Sequence, residues 1–341
     1  MTVAQHVAFA LAVAALGGAG MRLAGHLGAR GLELVVAAAP LGAAAAVLWA
    51  LGLGLLDLGG STVALAAGAG LTWMAIRLAL PDPAPRRQLA DWWAQTSSRT
   101  RVCVLALTAL VLGLCVWQLR HPYLDLDGTV YHLGLPGVWR HSGSPGDIVG
   151  IVDVLPVGNY PITYEVLVGW TLGLSQSWVI GSILGPLCAV LLAIAIWTGL
   201  RSLDVPALVT GLAAAAVITL PLSARQLNAA LNDLSATTWL ATAAALVVLA
   251  LPVPERVRGP RPLLLVPAVI AAGLAVGTKT TPILLLALLL GFAVWRHRAA
   301  LRTHAAPLSA AVVVGLLVCA IWPLRNLIQH GSPLWPFVET P

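Results

Sequence analysis

Apolar runs of about 17 to 25 residues recur about ten times along this chain, each long enough to cross roughly 30 Å of hydrocarbon as a helix. They lie near 4–24, 34–56, 62–80, 102–119, 177–199, 206–222, 234–252, 262–277, 281–296 and 306–323. Within a bilayer, helices satisfy every backbone N–H and C=O inside their own segment, so the pattern predicts an all-α polytopic bundle of about ten spans. Composition agrees. With 59% hydrophobic and 9% charged residues, the 341-residue chain has too few polar side chains to cover a soluble globule. The first run has neither a basic segment before it nor a small-residue cleavage site, and it reads as a retained span. The four cysteines, Cys103, Cys115, Cys188 and Cys319, fall inside the runs without metal-ligand spacing and read as small apolar packers.

Basic residues are retained on the cytoplasmic side of short loops. Ten alternating spans put Arg22, Arg30, Arg77, Arg86, Arg87, Arg99, Arg101, Arg201, Arg256, Arg258, Arg261, Arg296, Arg298 and Arg302 on one side. Of the 19 basic residues, only Arg120, Arg140, Arg225, Lys279 and Arg325 fall on the other. The first side is expected to be the cytoplasm, with both termini outside a multi-pass cell-membrane protein. The outer side then holds Asp57, Asp125, Asp127, Asp147, Asp153, Glu165, Asp233 and Glu339. The net charge of +6 comes from anchoring arginines, which argues against a nucleic-acid partner. The tryptophans lie mostly at run ends as interface anchors, with Trp139 and Trp335 candidates for stacking on a sugar ring.

One long extramembrane segment, 120–176, separates the apolar runs, and function is expected to concentrate there. Its stretch HPYLDLDGTVYHL at 121–133 sets Asp125 and Asp127 directly after an apolar run. Val130, Leu133, Val138 and Trp139 suggest a short amphipathic helix at the interface, interrupted near Pro136. A second short helix is expected from Pro161, carrying Tyr164, Glu165 and Trp170, with Glu165 facing the loop. Residues 142–160, rich in Gly, Pro, Ser and Asp, read as loop.

The strings DGTVYHLGLPGVWRHSG, NYPITYEVL, LNDLSATTWLATAAAL, GLAVGTKTTPILLL and RNLIQHGSPLWPF occur in that order. Together they resemble polytopic glycosyltransferases of the GT-C fold that use polyprenyl-phosphate sugars, of the family 39 and protein mannosyltransferase kind. The resemblance covers residues 102–341. It implies a seven-helix module that opens with a span and a long outer loop, 120–176 here, bearing a catalytic acid and two interfacial helices. Residues 1–101 would then add three helices and a cytoplasmic linker. The resemblance also implies site residues. Asp127 takes the catalytic position with Asp125 as a neighbour that shares it, and Pro161 with Glu165 matches the family's proline-plus-acid segment. Asp233 matches its second outer acid, Lys279 the lysine of its glycine-rich turn, and Arg325-Asn326 with Gly331, Pro333 and Pro336 its terminal motif. The implied partners are a polyprenyl-phosphate-linked sugar donor, membrane lipids, and an extracytoplasmic glycan, lipid or protein acceptor.

The chemistry can also be argued from the residues. Inverting transfer needs a base for the acceptor hydroxyl, a role suited to Asp127. Asp127 before Gly-Thr-Val is equally a good helix N-cap, and the two roles are compatible. The leaving lipid phosphate needs cations in a site shielded from water. Lys279, the only lysine, precedes Thr280-Thr281-Pro282, which reads as a cap and first turn, with Arg225 and Arg325 as helpers. Each of the three also reads as an ordinary interfacial cation. Asp233 is placed to orient these cations, contact sugar hydroxyls or cap its helix, and Glu165 reads first as a favourable charge in a helix's first turn. His132 and Tyr131 are supporting candidates.

No His, Cys and Asp set has the spacing of a dedicated metal site, so no cofactor is expected beyond the option of a divalent ion shared by Asp127 and Asp233. The principal alternative is a transporter or lipid-carrier flippase. Such a protein would place ionisable residues in mid-span, often in paired repeats, whereas here the charges crowd one face. A non-catalytic scaffold on the same fold is the third reading.

Overall fold

The computed structural model describes residues 3–81, 85–121, 125–150, 156–181, 184–227, 229–251 and 260–338. Asp153, Asn228, Arg256, Arg258 and Glu339 lie outside these, as do the side chains of Arg86 and Cys115. Among the described residues the chain is helical throughout, without strands.

The first three apolar runs form α1 (Val3–His26), α2 (Glu33–Gly54) and α3 (Thr62–Ala79). Ser61, in extended conformation, starts α3 by accepting the Ala64 N–H. The amphipathic α4 (Pro85–Gln95) then turns by 118° into α5 (Ser98–Arg120), which Ser97 caps in the same way. After a π-turn over 128–132 come α6 (Gly134–Ser142), α7 (Thr163–Ser175) and the short α8 (Trp178–Gly181). The remainder is α9 (Leu184–Ser202), α10 (Ala207–Thr219), α11 (Pro221–Gln226), α12 (Asp233–Ala250), α13 (Leu265–Thr278), α14 (Ile283–Thr303), α15 (Ala305–Cys319) and α16 (Ile321–His330).

This is a helical membrane protein. Among the described residues five helices, α1, α2, α3, α9 and α12, are long and apolar enough to cross a bilayer, and up to seven spans result if the bent pairs α4–α5 and α15–α16 each count as one. Ten were expected. Part of the difference lies in α10 and the 262–278 segment, which are apolar but only 10–17 residues long. Exposed side chains such as Leu208, Leu284 and Leu288 supply the apolar flank that lipid requires. One hydrophobic core joins Leu16 of α1, Val47 of α2 and Leu65 of α3 to Trp139 of α6, Trp170 of α7, Leu274 of α13 and Trp322 of α16. Residues 1–101 therefore share their core with the rest of the chain.

Of two expectations for the 120–176 segment, one is met and one is corrected. The first helix is interrupted at Leu133, three residues before Pro136, where the π-turn over 128–132 gives way to α6; Pro136, in the first turn of α6, has no N–H to continue the helix across the break. The second short helix begins at Thr163 instead of Pro161, and every residue from Thr163 to Ser175 is buried. Its sequence, TYEVLVGWTLGLS, is apolar or small on most sides, and α2, α3, α6 and α13 enclose it instead of leaving it at the interface.

The two ends of the bundle are tied differently. At one end Arg261 holds Glu33 through two bonds of 2.6 and 3.0 Å, and Arg22 donates to the Leu80 carbonyl at 2.8 Å. At the other end the α2–α3 turn grips the outer segment. The Gly59 N–H donates to Gly143 O at 2.7 Å, and Ser144 Oγ donates to Asp57 Oδ1 at 2.6 Å. From α16, Arg325 donates to the carbonyls of Gly146 and Gly158, and Asn326 exchanges bonds of 2.9 Å with Asn159.

Candidate active site

The outer segment enters the site through Asp125 and Asp127. Asp125 Oδ2 lies 2.5 Å from Arg225 Nη2, at the end of α11. That hydrogen bond, more than any other influence, holds the Asp125 carboxyl below the usual carboxylate range. Glycine at 128 makes the approach feasible: a Cβ there would stand 2.2 Å from the Ala229 carbonyl oxygen, so the 125–132 turn rests directly on the segment between α11 and α12. Asp127 is not an N-cap. Its backbone is helical (φ −62°, ψ −41°) and its side chain accepts no capping bond. The carboxylate is exposed and makes no ion pair or hydrogen bond among the described residues.

Asp233 opens α12 but does not cap it. Its Oδ1 pairs with Lys279 Nζ, and its Oδ2 accepts from Gln226 Nε2 at 3.1 Å. Gln226 Oε1 takes the Leu234 N–H at 2.6 Å and so does the capping work assigned to Asp233. Nothing in the sequence near Asp233 marks Gln226, which reaches back from the preceding helix. Lys279 is extended (φ −157°), in the turn between α13 and α14, and is about as exposed (37%) as its partner Asp233 (43%). Asn232 Nδ2 fastens the same turn by donating to Thr278 O at 3.2 Å.

Behind these charges lies an aromatic and polar cluster. His132 Nδ1 is 2.5 Å from Glu165 Oε1, both side chains being buried, so Glu165 meets the 125–132 turn inside the bundle and not at its surface. Its position in the all-buried α7 gives the reason. Tyr164 meets the His132 ring edge-on at 5.9 Å, and Tyr131 lies over it at 4.0 Å. Tyr131 in turn meets Tyr160 edge-on, and Tyr160 stacks on Phe337 at 5.4 Å. Burial first, then the nearby carboxylates of Asp127, Glu165 and Asp233, pushes the Tyr131 hydroxyl well above the usual phenol range. It therefore stays protonated and available as a donor in the field of both Asp127 and Asp233.

The structure thus gathers Asp125, Asp127, Tyr131, His132, Glu165, Arg225, Asp233 and Lys279 at one end of the bundle. Arg325 is used elsewhere, in bracing the outer segment through the Gly146 and Gly158 carbonyls. Among the described residues no group of three or more His, Cys, Asp or Glu side chains converges to hold a metal ion. Asp233 is already engaged by Lys279 and Gln226, so its chemistry fits a cation-orienting group better than a ligand of a shared divalent ion.

A groove of about 810 Å³ runs between α13, α14 and α15. Its lining is almost wholly apolar, from Val276 and Ile283 at the Lys279 end to Leu265, Leu301 and Ala305 at the other. Lys279 stands between Val276 and Ile283 in the chain, beside the groove's end at the α13–α14 turn. Compared with known protein families, characterised proteins and solved structures, the chain shows no match.

Proposed function

We propose that the protein is an inverting glycosyltransferase that moves a sugar from a polyprenyl-phosphate donor to an extracytoplasmic acceptor. The observation that carries this reading is an exposed carboxylate, Asp127, with no counter-ion among the described residues, in the same cluster as a lysine whose chain neighbours Val276 and Ile283 line one end of an apolar groove. The groove suits a polyprenyl tail, which would bring the donor phosphate to the Lys279 turn. Asp127 accepts the proton of the acceptor hydroxyl as its oxygen bonds to the sugar C1 and the bond from C1 to the phosphate oxygen breaks. The departing lipid phosphate keeps the electron pair and is stabilised by Lys279, with Arg225 nearby. Tyr131, held protonated, supplies a hydrogen-bond donor for a sugar or acceptor oxygen.

The pairing of Lys279 with Asp233 and of Arg225 with Asp125 favours one other reading, a non-catalytic scaffold in which these charges only hold the loops. One experiment separates the two. The purified chain in lipid nanodiscs, offered a panel of polyprenyl-phosphate hexoses and pentoses, should transfer or hydrolyse at least one. Asp127→Asn should lower that rate about 100-fold or more. Full turnover by the variant would remove Asp127 as the base. Wild-type protein that neither turns over nor binds any donor would leave the scaffold.

A further inference from the structure

At the end of the bundle tied by Arg261 and Glu33 lies a cleft of about 510 Å³, within the roughly 300–1,000 Å³ span of small-ligand sites. The α1–α2 turn, the surface helix α4 and the end of α9 form its walls. A helix docked on an apolar bundle ordinarily turns its apolar side inward. On α4, by contrast, Gln88, Asp91 and Gln95 line the cleft beside Trp92, spaced three and four residues apart and so on one face. Thr198, Arg201 and Ser202 bring the end of α9 to the cleft in the same spacing. Two polar helix faces therefore meet at one cavity, and Leu32, Trp197 and Leu249 complete it with an apolar patch.

Part of this polar lining is already in use. Arg201 donates to the Val205 carbonyl, Ser202 Oγ donates to Gly199 O at 2.6 Å, Glu33 is held by Arg261, and Gln88 is engaged as well. Four side chains remain. Arg30, Asp91 and Gln95 are exposed and form no side-chain hydrogen bond or ion pair among the described residues. Thr198 is 7% exposed, and its Oγ1 has no hydrogen-bond partner among them. A buried hydroxyl in this state is costly unless a ligand or water completes it. Arg30 and Asp91 carry opposite charges and line the same cleft without pairing with each other. One cation, one anion, an amide and a hydroxyl beside an apolar patch complement a zwitterion with an apolar substituent.

We propose that the cleft binds a free α-amino acid with a large apolar side chain. Its carboxylate accepts from the Arg30 guanidinium, whose planar fork matches that group, and from Thr198 Oγ1. Its ammonium donates to the Asp91 carboxylate and to the Gln95 side-chain oxygen one turn further along α4. The apolar side chain lies against Leu32, Trp197 and Leu249. The site shares no residue with the Asp127 cluster, and its test does not depend on sugar transfer.

Saturation-transfer NMR titrations of the full chain in lipid nanodiscs, with empty nanodiscs as the baseline, would compare three probes. These are L-phenylalanine, phenethylamine, which lacks the carboxylate, and 3-phenylpropionate, which lacks the ammonium. Phenylalanine is expected to bind about tenfold more tightly than either analogue, one charge-assisted contact in each case. Arg30→Gln should weaken phenylalanine about tenfold and leave phenethylamine unchanged, whereas Asp91→Asn should weaken phenylalanine and leave 3-phenylpropionate unchanged. Both side chains are exposed and unbonded, so the two variants should melt as the wild type does. Absence of phenylalanine binding to the wild type, equal binding of the three probes, or losses that do not depend on which charge the probe carries would each overturn the proposal.

Discussion

His132 Nδ1 and Glu165 Oε1 stand 2.5 Å apart with side chains 2% and 1% exposed, while the second carboxylate oxygen of Glu165 has no hydrogen-bond partner among the described residues. The pair locks the start of the outer segment onto the buried helix α7. Removing either partner leaves the other's polar atom buried without its hydrogen bond, which costs about 1–3 kcal/mol. Glu165→Ala and His132→Ala should each lose stability on that scale, and the double variant should lose far less than their sum. Thermal unfolding in micelles measures all three, and strictly additive losses would mean that the two side chains do not support each other.

The Asp125–Arg225 bridge joins segments 100 residues apart. The folded-state pKa of Asp125 is depressed, so the bridge's contribution is in place above the ordinary carboxylate value and is lost as pH falls through the lower folded value. Hydrogen exchange in 125–132 and 221–227 should accordingly stay slow at neutral pH and quicken together in acid. Asp125→Asn should produce the fast pattern already at pH 7. Exchange that quickens in only one segment would show that the bridge does not couple them.

A methyl group at position 128 would collide with the Ala229 carbonyl. Gly128→Ala should therefore cost about 1–3 kcal/mol, the usual penalty for forcing extra volume into a packed site, and should displace Asp127 along with its turn. Gly150→Ala, whose Cβ would enter open space, is the matched control. Equal melting temperatures for the two variants would contradict the close approach.

On the proposed function, Lys279 would reach a donor phosphate only by sharing itself between that phosphate and Asp233. Asp233→Asn should then strengthen binding of a polyprenyl phosphate, and Lys279→Ala should weaken it about tenfold, one charge-assisted contact in each direction. Fluorescence titration with a labelled lipid phosphate reads both. Weaker binding in Asp233→Asn would assign Asp233 to the sugar or to the turn's structure instead.

The apolar runs made the helical membrane class legible, and the acids at 125 and 127 stood out because they directly follow such a run. Their partners did not. Nothing local ties Asp125 to Arg225, Asp233 to Gln226 or His132 to Glu165, because each contact forms only when distant helix ends meet. The misreading of α7 has a specific cause: a short helix with Thr, Tyr, Glu and Trp along it looks interfacial in one dimension, and only the surrounding α2, α3, α6 and α13 make it interior. Asp127 and Asp233 look like caps from neighbouring letters, yet capping depends on backbone angles that a sequence does not display.

The hydrogen bonds from Gly59 to Gly143 and from Ser144 to Asp57 carry a practical meaning for anyone dividing this chain. A fragment beginning at residue 102 would keep every proposed reactive side chain and lose the clasp that sets the height of the outer segment above the bundle. Truncation would then resemble a lesion in the proposed site although it removes none of that site's side chains, and the first hundred residues are better regarded as its foundation than as an attached preface.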